Sequence, residues 1–442
     1  MWSLPLASRK SSQFGALSSV RMGWRRPGAW RLVLALGLWA CDDAGSSSGP
    51  NVDAFQGDGA VDAARPDARV ERDAGDAAPA ELDAGTPDQA VDAASPDAAL
   101  GAEPCPRNAA GRCDVVGWIT SRTAYPTVVD HHTTLIALDG ETAWLNVFGG
   151  IQSTSLGEAE VVYDAVRRAR VSGRGVVEAF EDEPPLPFPL AFHAQIVVEN
   201  QVFLLGGITA DAQGVGANPR YVVGQLAGGR VTGWQVGALP AEVRVHPTGV
   251  AVGQQLYLVG GTGAQGRVLD SVLTATLGPD GLPGAFAPTV PLPAPRSHHA
   301  SVVVAGHILI LGGFTTNQVP DPAILRSVHN AAGTLTGWEE VGTLPDTPWT
   351  SSVVVHRGWV WLVGGGEGGA VGGHFVNTVR GAPLDAEGRP GAFEVFDRPL
   401  PLARSHVHQT PVHNGFVYSV GGRVADGNAL RSTNRVLVGE LW

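Results

Sequence analysis

The sequence predicts an all-β protein, a six-bladed β-propeller with four antiparallel strands in each blade. A short apolar segment runs into a pair of glycines six times, and successive pairs begin 52 to 57 residues apart. Each unit then continues with the same order of further strands. A repeat of that period is typical of radial or stacked arrays. The pairs are Gly149-Gly150, Gly206-Gly207, Gly260-Gly261, Gly312-Gly313, Gly364-Gly365 and Gly421-Gly422.

The first two strands of each unit form a hairpin. In the fourth unit, residues 301–304 and 307–311 are apolar and only Ala305-Gly306 separates them. Strands joined by two residues pair as a hairpin. The glycines after the second strand permit positive φ angles and a close approach to neighbouring backbone.

A third and a fourth strand complete each unit. After the fourth pair of glycines comes a variable loop, then a strand near Ser327-Val328, an aromatic residue at Trp338, and Leu344-Pro345 before the next hairpin. The other units follow the same order. Four antiparallel strands per repeat make the blade of a propeller.

The last unit lacks a fourth strand, and the N-terminal end of the repeat region supplies one. After the sixth glycine pair only residues 435–441 can form a strand. Residues 108–118 read Asn-Ala-Ala-Gly followed by Trp, and residues 330–338 repeat that pattern. We therefore expect residues 114–120 to pair with the C-terminal strand, which removes open sheet edges.

These units resemble the kelch repeat. The double glycine after a hydrophobic strand, the later aromatic residue and an Arg-Ser-His opening carry the resemblance, which covers about residues 114–442. The opening stands here as Arg296-Ser297-His298-His299 and Arg404-Ser405-His406. The resemblance implies the propeller fold. It leaves the function open, because such propellers serve both as enzymes and as protein-binding scaffolds.

Residues 1–40 have the pattern of a signal peptide. Residues 1–41 hold six basic residues and no acid, and an apolar run follows at 32–40. That run is too short to span a bilayer, and Met22 is an alternative start. Leu38-Trp39-Ala40-Cys41 resembles a bacterial lipobox, so we expect lipid on Cys41. The alternative is an ordinary signal cleaved near Ala40. The resemblance implies an exported, lipid-anchored protein of a bacterial cell envelope, periplasmic or at the cell surface.

An acidic linker follows over residues 41–104. Residues 42–104 contain 15 acids against three arginines in Asp-Ala steps, so we expect a disordered tether. The whole chain has a net charge of −12, most of it in this linker, which argues against a nucleic-acid partner. Cys105 and Cys113 open the propeller, which we place at residues 105–442. In an exported protein they are expected to form a disulfide.

Histidines and arginines precede the innermost strands, on the same face as the loops after the glycines. This pattern could hold a metal ion, a carboxylate or an anionic sugar. The alternative, which we favour, is that these side chains hydrogen-bond neighbouring blades. The sequence predicts no metal and no cofactor. The candidate residues are His132, His193, His246, Arg296, His298, His299, Arg404, His406 and His408.

We expect a monomeric scaffold that binds a protein or a glycan through variable loops. The alternative is an exported sugar epimerase or mutarotase, because the bacterial N-acetylneuraminate epimerases are also exported six-bladed kelch proteins. No position here matches their catalytic residues. Among the opening segments only the first has a carboxylate, Asp130 beside His131, a composition that suits anion binding better than proton transfer. No Cys follows Cys113, which excludes the radical chemistry of galactose oxidase.

Overall fold

The computed structural model describes residues 107, 117–153, 160–212, 214–240, 242–369, 372–426 and 429–441. These residues form six four-stranded antiparallel sheets, the six blades. Blades 1 to 3 comprise β2 (Thr133–Asp139), β3 (Thr142–Phe148), β6 (Val166–Val171) and β7 (Glu181–Glu183); β8 (Ala194–Val198), β9 (Gln201–Leu205), β12 (Arg220–Ala227) and β13 (Arg230–Ala238); and β14 (Thr248–Val252), β15 (Gln255–Val259), β16 (Val272–Thr276) and β17 (Ala287–Pro288).

The other three blades repeat this order, and the sixth takes its outer strand from the N-terminal side. They comprise β18 (Ala300–Val304), β19 (His307–Leu311), β20 (Ala323–His329) and β21 (Leu335–Thr343); β22 (Ser352–His356), β23 (Trp359–Val363), β26 (Val379–Pro383) and β27 (Glu394–Val395); and β28 (Val412–His413), β29 (Phe416–Val420), β32 (Val436–Glu440) and β1 (Gly117–Thr120). The predicted fold class, a six-bladed propeller of four-stranded blades, is confirmed.

The strand β1 closes the ring. It pairs antiparallel with β32, with Gly117 opposite Glu440 and Thr120 opposite Leu437. This is the pairing expected from the repeated Asn-Ala-Ala-Gly and Trp pattern. The proposed domain boundary at residue 105 lies outside the described residues.

The hydrophobic core lies between the blades. One cluster of buried apolar side chains joins Phe148 of blade 1 to Val202 of blade 2, and another joins Trp361 of blade 5 to Leu437 of blade 6. Each of the other four blade junctions has a comparable cluster. Every blade is therefore stabilised by burial against both neighbours.

The glycine pairs lie at these junctions, and each second glycine donates a backbone hydrogen bond of 2.7–2.9 Å to the next blade. Gly313, for example, donates to the Pro348 carbonyl at 2.9 Å. A Cβ on Gly312 would overlap that same carbonyl oxygen, and its φ of 62° also favours glycine. The close approach between blades therefore requires glycine at this position, because any side chain would clash with the neighbouring backbone.

Hairpins or turns follow the glycines and form what we call the rim. Blades 3 and 4 carry only 3-10 turns, Ala264–Gly266 and Thr316–Gln318. Two-stranded hairpins stand on the other four blades: β4 (Ile151–Gln152) with β5 (Val161–Val162), β10 (Ile208–Asp211) with β11 (Gly214–Ala217), β24 (Gly366–Glu367) with β25 (His374–Phe375), and β30 (Arg423–Asp426) with β31 (Ala429–Ser432).

Candidate ligand site at the end of the central channel

Each blade enters its innermost strand through an opening segment of three residues. The middle residue forms an isolated β-bridge with the residue after the glycine pair of its own blade, as Asp130 does with Ile151. The third residue has a φ between 45° and 59° in every blade. The six segments are residues 129–131, 190–192, 244–246, 296–298, 348–350 and 404–406.

Backbone hydrogen bonds link these third residues around the channel. The His131 N–H donates to the His406 carbonyl at 3.0 Å, and the Phe192 N–H donates to the His131 carbonyl at 3.0 Å. The same bond joins His246 to Phe192 at 3.2 Å and Thr350 to His298 at 2.7 Å. The third residues share a left-handed conformation that is unusual outside glycine, and together the segments surround the axis of the channel. We call this arrangement of third residues the ring.

Four imidazoles of this ring lie together with that of His408, and we call them the imidazole cluster: His131, His246, His298, His406 and His408. The centroid of His131 lies 5.0 Å from that of His246, 4.3 Å from that of His406 and 5.6 Å from that of His408. His298 stacks on His246 at 3.8 Å. Phe192 of blade 2 stacks on the other side of His131 at 3.6 Å.

The structure corrects the register read by counting back from the glycines. That count places His193, His299 and His408 13 residues before their glycine pairs and His246 14 residues before its own. By structure His246 is a third residue of an opening segment, equivalent to His298, and His193 and His299 come one residue later. His408 lies two residues after its opening segment, because the sixth blade has one extra residue before its hairpin turn.

His131 was missing from the candidate residues, although it lies at the centre of the cluster. Its Nδ1 binds the Asp130 carboxylate. The same carboxylate accepts hydrogen bonds from Ser153 at 2.6 Å and from Ser432 at 2.7 Å, and Arg423 lies 3.6 Å away. Asp130 is fully buried, and Arg423 supplies the positive charge beside it. An alignment of the Arg-Ser-His openings with residues 129–131 would have found His131.

The imidazoles of the cluster are neutral at pH 7. Burial lowers the pKa of His131, His246 and His406 well below 6.5, and neighbouring imidazoles lower it further. Burial also lowers the pKa of His298 to about 3 and that of His408 to about 4. Neutral rings do not attract anions as imidazolium would, so the expectation that the histidines hold an anion loses its electrostatic support.

Other predicted residues hold blades together. The His193 Nε2 lies 3.0 Å from the Thr133 hydroxyl of blade 1, and the His299 Nε2 lies 2.7 Å from the Thr248 hydroxyl of blade 3. His132 is buried beside Gly150, where a glycine Cβ would lie 2.8 Å from its own. The two threonine contacts agree with the inter-blade interpretation of the pattern, whereas the contact of His132 with Gly150 lies within blade 1.

The two predicted arginines bind within their own blades. The buried guanidinium of Arg296 donates to the Gly312 carbonyl at 3.2 Å and binds the Asp321 carboxylate. Arg404 donates to the Gly421 carbonyl at 2.8 Å. The loop carboxylate of Asp321 is therefore engaged by Arg296.

A cavity of about 150 Å³ occupies the channel beside the cluster. The innermost strands line it, and His246, His298 and His408 of the cluster border it. This volume has room for on the order of ten water molecules. Three imidazoles of the cluster therefore lie next to a space that could hold a small ligand or ion.

Comparisons with known proteins agree with the fold. No family model matches the chain. The Kelch repeat and BTB domain-containing protein 12 of Danio rerio is 29% identical over 133 residues, which are 28% of this chain and a fifth of that protein's length. The solved structure of YjhT matches with a TM-score of 0.53 at 12% identity, over 71% of this chain and 98% of that chain. The chain is therefore similar to a kelch repeat protein over part of its length, and its fold is that of a six-bladed β-propeller. At that identity the structural match concerns the fold alone.

The N-terminal predictions lie elsewhere in the chain. Cys41, Cys105 and Cys113, the signal peptide and the linker all fall outside the described residues. Across the part of the chain that the structure describes, no helix is long and apolar enough to cross a membrane.

Proposed function

We propose that the chain is a cell-envelope lipoprotein whose kelch-type propeller binds a protein or a glycan through the rim. The observation that carries this proposal is the contrast between uniform junctions and an uneven rim. The glycine hydrogen bonds are the same in all six blades, whereas the rim carries hairpins on four adjoining blades and short turns on blades 3 and 4. Variable loops on a rigid frame are the usual place for recognition.

Burial supports the rim over the channel end as the surface for a large ligand. His131, His246 and His298 are at most 6% exposed, so a sugar or a peptide that approaches this face meets the rim first. Both the hairpins and the short turns of the rim carry exposed apolar side chains. Val215 on the blade 2 hairpin is 37% exposed, and Val319 after the short turn of blade 4 is 55% exposed.

A rim exchange tests the binding surface. Residues 209–217, the hairpin of blade 2, are replaced by residues 263–268, the short turn of blade 3, because both connect equivalent positions of the blade. The full-length Cys41→Ser protein is applied to a glycan array and to crosslinking against isolated envelope proteins. We expect bound glycans or crosslinked partners to be lost.

The matched control changes the opposite face, with Glu199-Asn200 replaced by Ala-Gly as in blade 4. It should bind as the parent protein does. Binding that survives the rim exchange but is lost in the control would contradict the proposal.

Lipid attachment is the proposed anchor. Cys41→Ser should release the protein from the membrane fraction, since acyl chains supply the membrane affinity at about 0.8 kcal/mol for each buried methylene. Mass spectrometry of the mature N-terminus checks the modification directly. An unacylated wild-type protein would contradict this part of the proposal.

A sugar mutarotase is the second candidate function, and the Asp130–His131 pair favours it. A carboxylate that binds Nδ1 leaves Nε2 available as a general base. Proton NMR of exchange between α and β anomers, with a panel of free sugars, tests this candidate. Acceleration by the wild type that is abolished by Asp130→Asn, with folding intact, would favour the enzyme over the scaffold.

A further inference from the structure

We propose that His131, His246 and His408 form a binding site for a divalent transition-metal ion at the end of the channel. Each residue offers one ring nitrogen, and the three atoms lie within 4.8 Å of one another. The residues come from blades 1, 3 and 6, so the closed ring, rather than one repeat, assembles the site.

The nitrogen geometry is close to what an ion requires. Zinc binds imidazole nitrogen at about 2.0–2.1 Å, which places the ligands of a tetrahedral site about 3.4 Å apart. The three atoms would have to approach one another by at most about 1.4 Å to reach that spacing. Three protein ligands leave a fourth position for water or a substrate atom, which is the plan of a catalytic rather than a structural zinc site.

Each of the three side chains has a buried ring nitrogen without a hydrogen-bond partner, as do neighbouring imidazoles such as His193 and His299 at Nδ1, so the close approach of the three nitrogens is what distinguishes the site. Among the described residues, His131 Nε2, His246 Nδ1 and His408 Nε2 have no hydrogen-bond partner. The Nε2 atoms of His193 and His299 have found threonine hydroxyls nearby. Buried polar atoms without a partner are uncommon in native proteins, and a metal ion would engage one nitrogen of each of the three residues.

Asp130 supplies the support expected around a metal ligand. A ligating histidine usually donates its second ring N–H to a carboxylate, which fixes the ring and the tautomer. The bond from His131 Nδ1 to Asp130 leaves Nε2 as the ring nitrogen that can bind an ion. Ser153 and Ser432 hold the carboxylate from two adjacent blades, so Asp130 is a positioning residue.

The donor chemistry identifies the class of ion. Imidazole suits Zn²⁺, Cu²⁺, Ni²⁺ and Fe²⁺, whereas Mg²⁺ and Ca²⁺ prefer sets of oxygen ligands. The adjacent cavity, bordered by His246 and His408, provides a route for the ion.

Titration of the untagged full-length protein with Co²⁺ and Zn²⁺ tests the site. We expect one ion per chain, visible for Co²⁺ as the intense visible absorption of a four-coordinate complex. His246→Gln and His408→Gln should each weaken Zn²⁺ affinity at least 100-fold in calorimetry. Asp130→Asn should weaken it 10- to 100-fold, the range for lost outer-shell partners.

The matched control is His299→Gln, which changes a buried imidazole of the next layer and should stay within threefold of the wild type. The exposed His374→Gln controls for surface binding. Thermal melting confirms that each variant is folded, and a variant that fails to fold is replaced by the corresponding Asn variant. Absence of stoichiometric binding, or equal loss in His299→Gln, would overturn the proposal.

Discussion

At the blade junctions, all six second glycines donate the same hydrogen bond, whereas the side chains of the opening segments differ from blade to blade. The third residue of those segments is histidine in four blades, Phe192 in blade 2 and Thr350 in blade 5. The backbone nevertheless takes the same positive φ in all six. The comparison teaches that the repeat fixes the backbone of the blade junctions, whereas the side chain of the third residue varies between blades. Six equivalent backbone positions can therefore carry an asymmetric site.

Loss of closure should break the frame most severely. Deletion of residues 105–120 removes β1 and leaves β32 as an open edge, so we expect aggregation and a loss on the order of 5 kcal/mol, the scale of a whole domain's stability. Deletion of residues 42–100 should change the free energy of unfolding by less than about 0.5 kcal/mol. Urea unfolding measures both.

A Cys105→Ser, Cys113→Ser variant separates the effect of a disulfide from that of the strand. Equal stability of the two deletion proteins and the intact chain would refute the role of β1 in closure.

Adding a side chain at a glycine of a blade junction should cause the next largest loss of stability. Gly312→Ala places a Cβ against the Pro348 carbonyl at a positive φ, and we expect a loss of about 3–5 kcal/mol from strain and overpacking together. Gly306→Ala in the same blade is the control. Its φ of 75° is also positive, but nothing lies within 4 Å of the added Cβ.

The control should lose only about 1–2 kcal/mol, the cost of the left-handed conformation for a residue with a side chain. Thermal and urea unfolding provide the comparison. Similar losses in the two variants would show that the close approach between blades contributes nothing.

Acid should lower the stability of the fold through the histidines that link blades. Burial lowers the pKa of His193 well below 6.5 and that of His299 to about 3. Below pH 6.5 the unfolded chain therefore takes up protons that the folded chain does not, and stability falls as the pH falls. Each residue accounts for about 2 kcal/mol between pH 6.5 and pH 5, at 1.36 kcal/mol per pH unit.

The double variant His193→Leu, His299→Leu isolates this contribution. Its stability should decline less between pH 7 and pH 5 than that of the wild type, by about 4 kcal/mol for the two residues. Urea unfolding at the two pH values gives the difference. Parallel declines in both proteins would show that these imidazoles do not resist protonation.

The fold could be predicted from the sequence because its determinants recur. The glycine spacing located the second strand of each blade, and the repeated Asn-Ala-Ala-Gly pattern located the strand that closes the ring. The site could be predicted only in part. Counting from the glycines misplaced His408, because blade 6 has one extra residue before its hairpin turn, and His131 was overlooked.

Convergence of the cluster was beyond sequence reasoning for a physical reason. His131 and His408 are 277 positions apart and meet only because the ring closes. The positive φ that aims the third residues along the ring has no signature in histidine, phenylalanine or threonine. The arginines of the same openings bind carbonyls, a role that composition does not distinguish from ligand binding.

Anomalous X-ray diffraction from crystals grown with Zn²⁺ tests most directly whether the imidazole cluster is a metal site built on a frame of uniform blade junctions. We expect one strong peak at the channel end, about 2.1 Å from His131 Nε2 and from one nitrogen each of His246 and His408. The glycine junctions should be unchanged. A zinc-free channel end with zinc bound only at surface histidines would contradict the account.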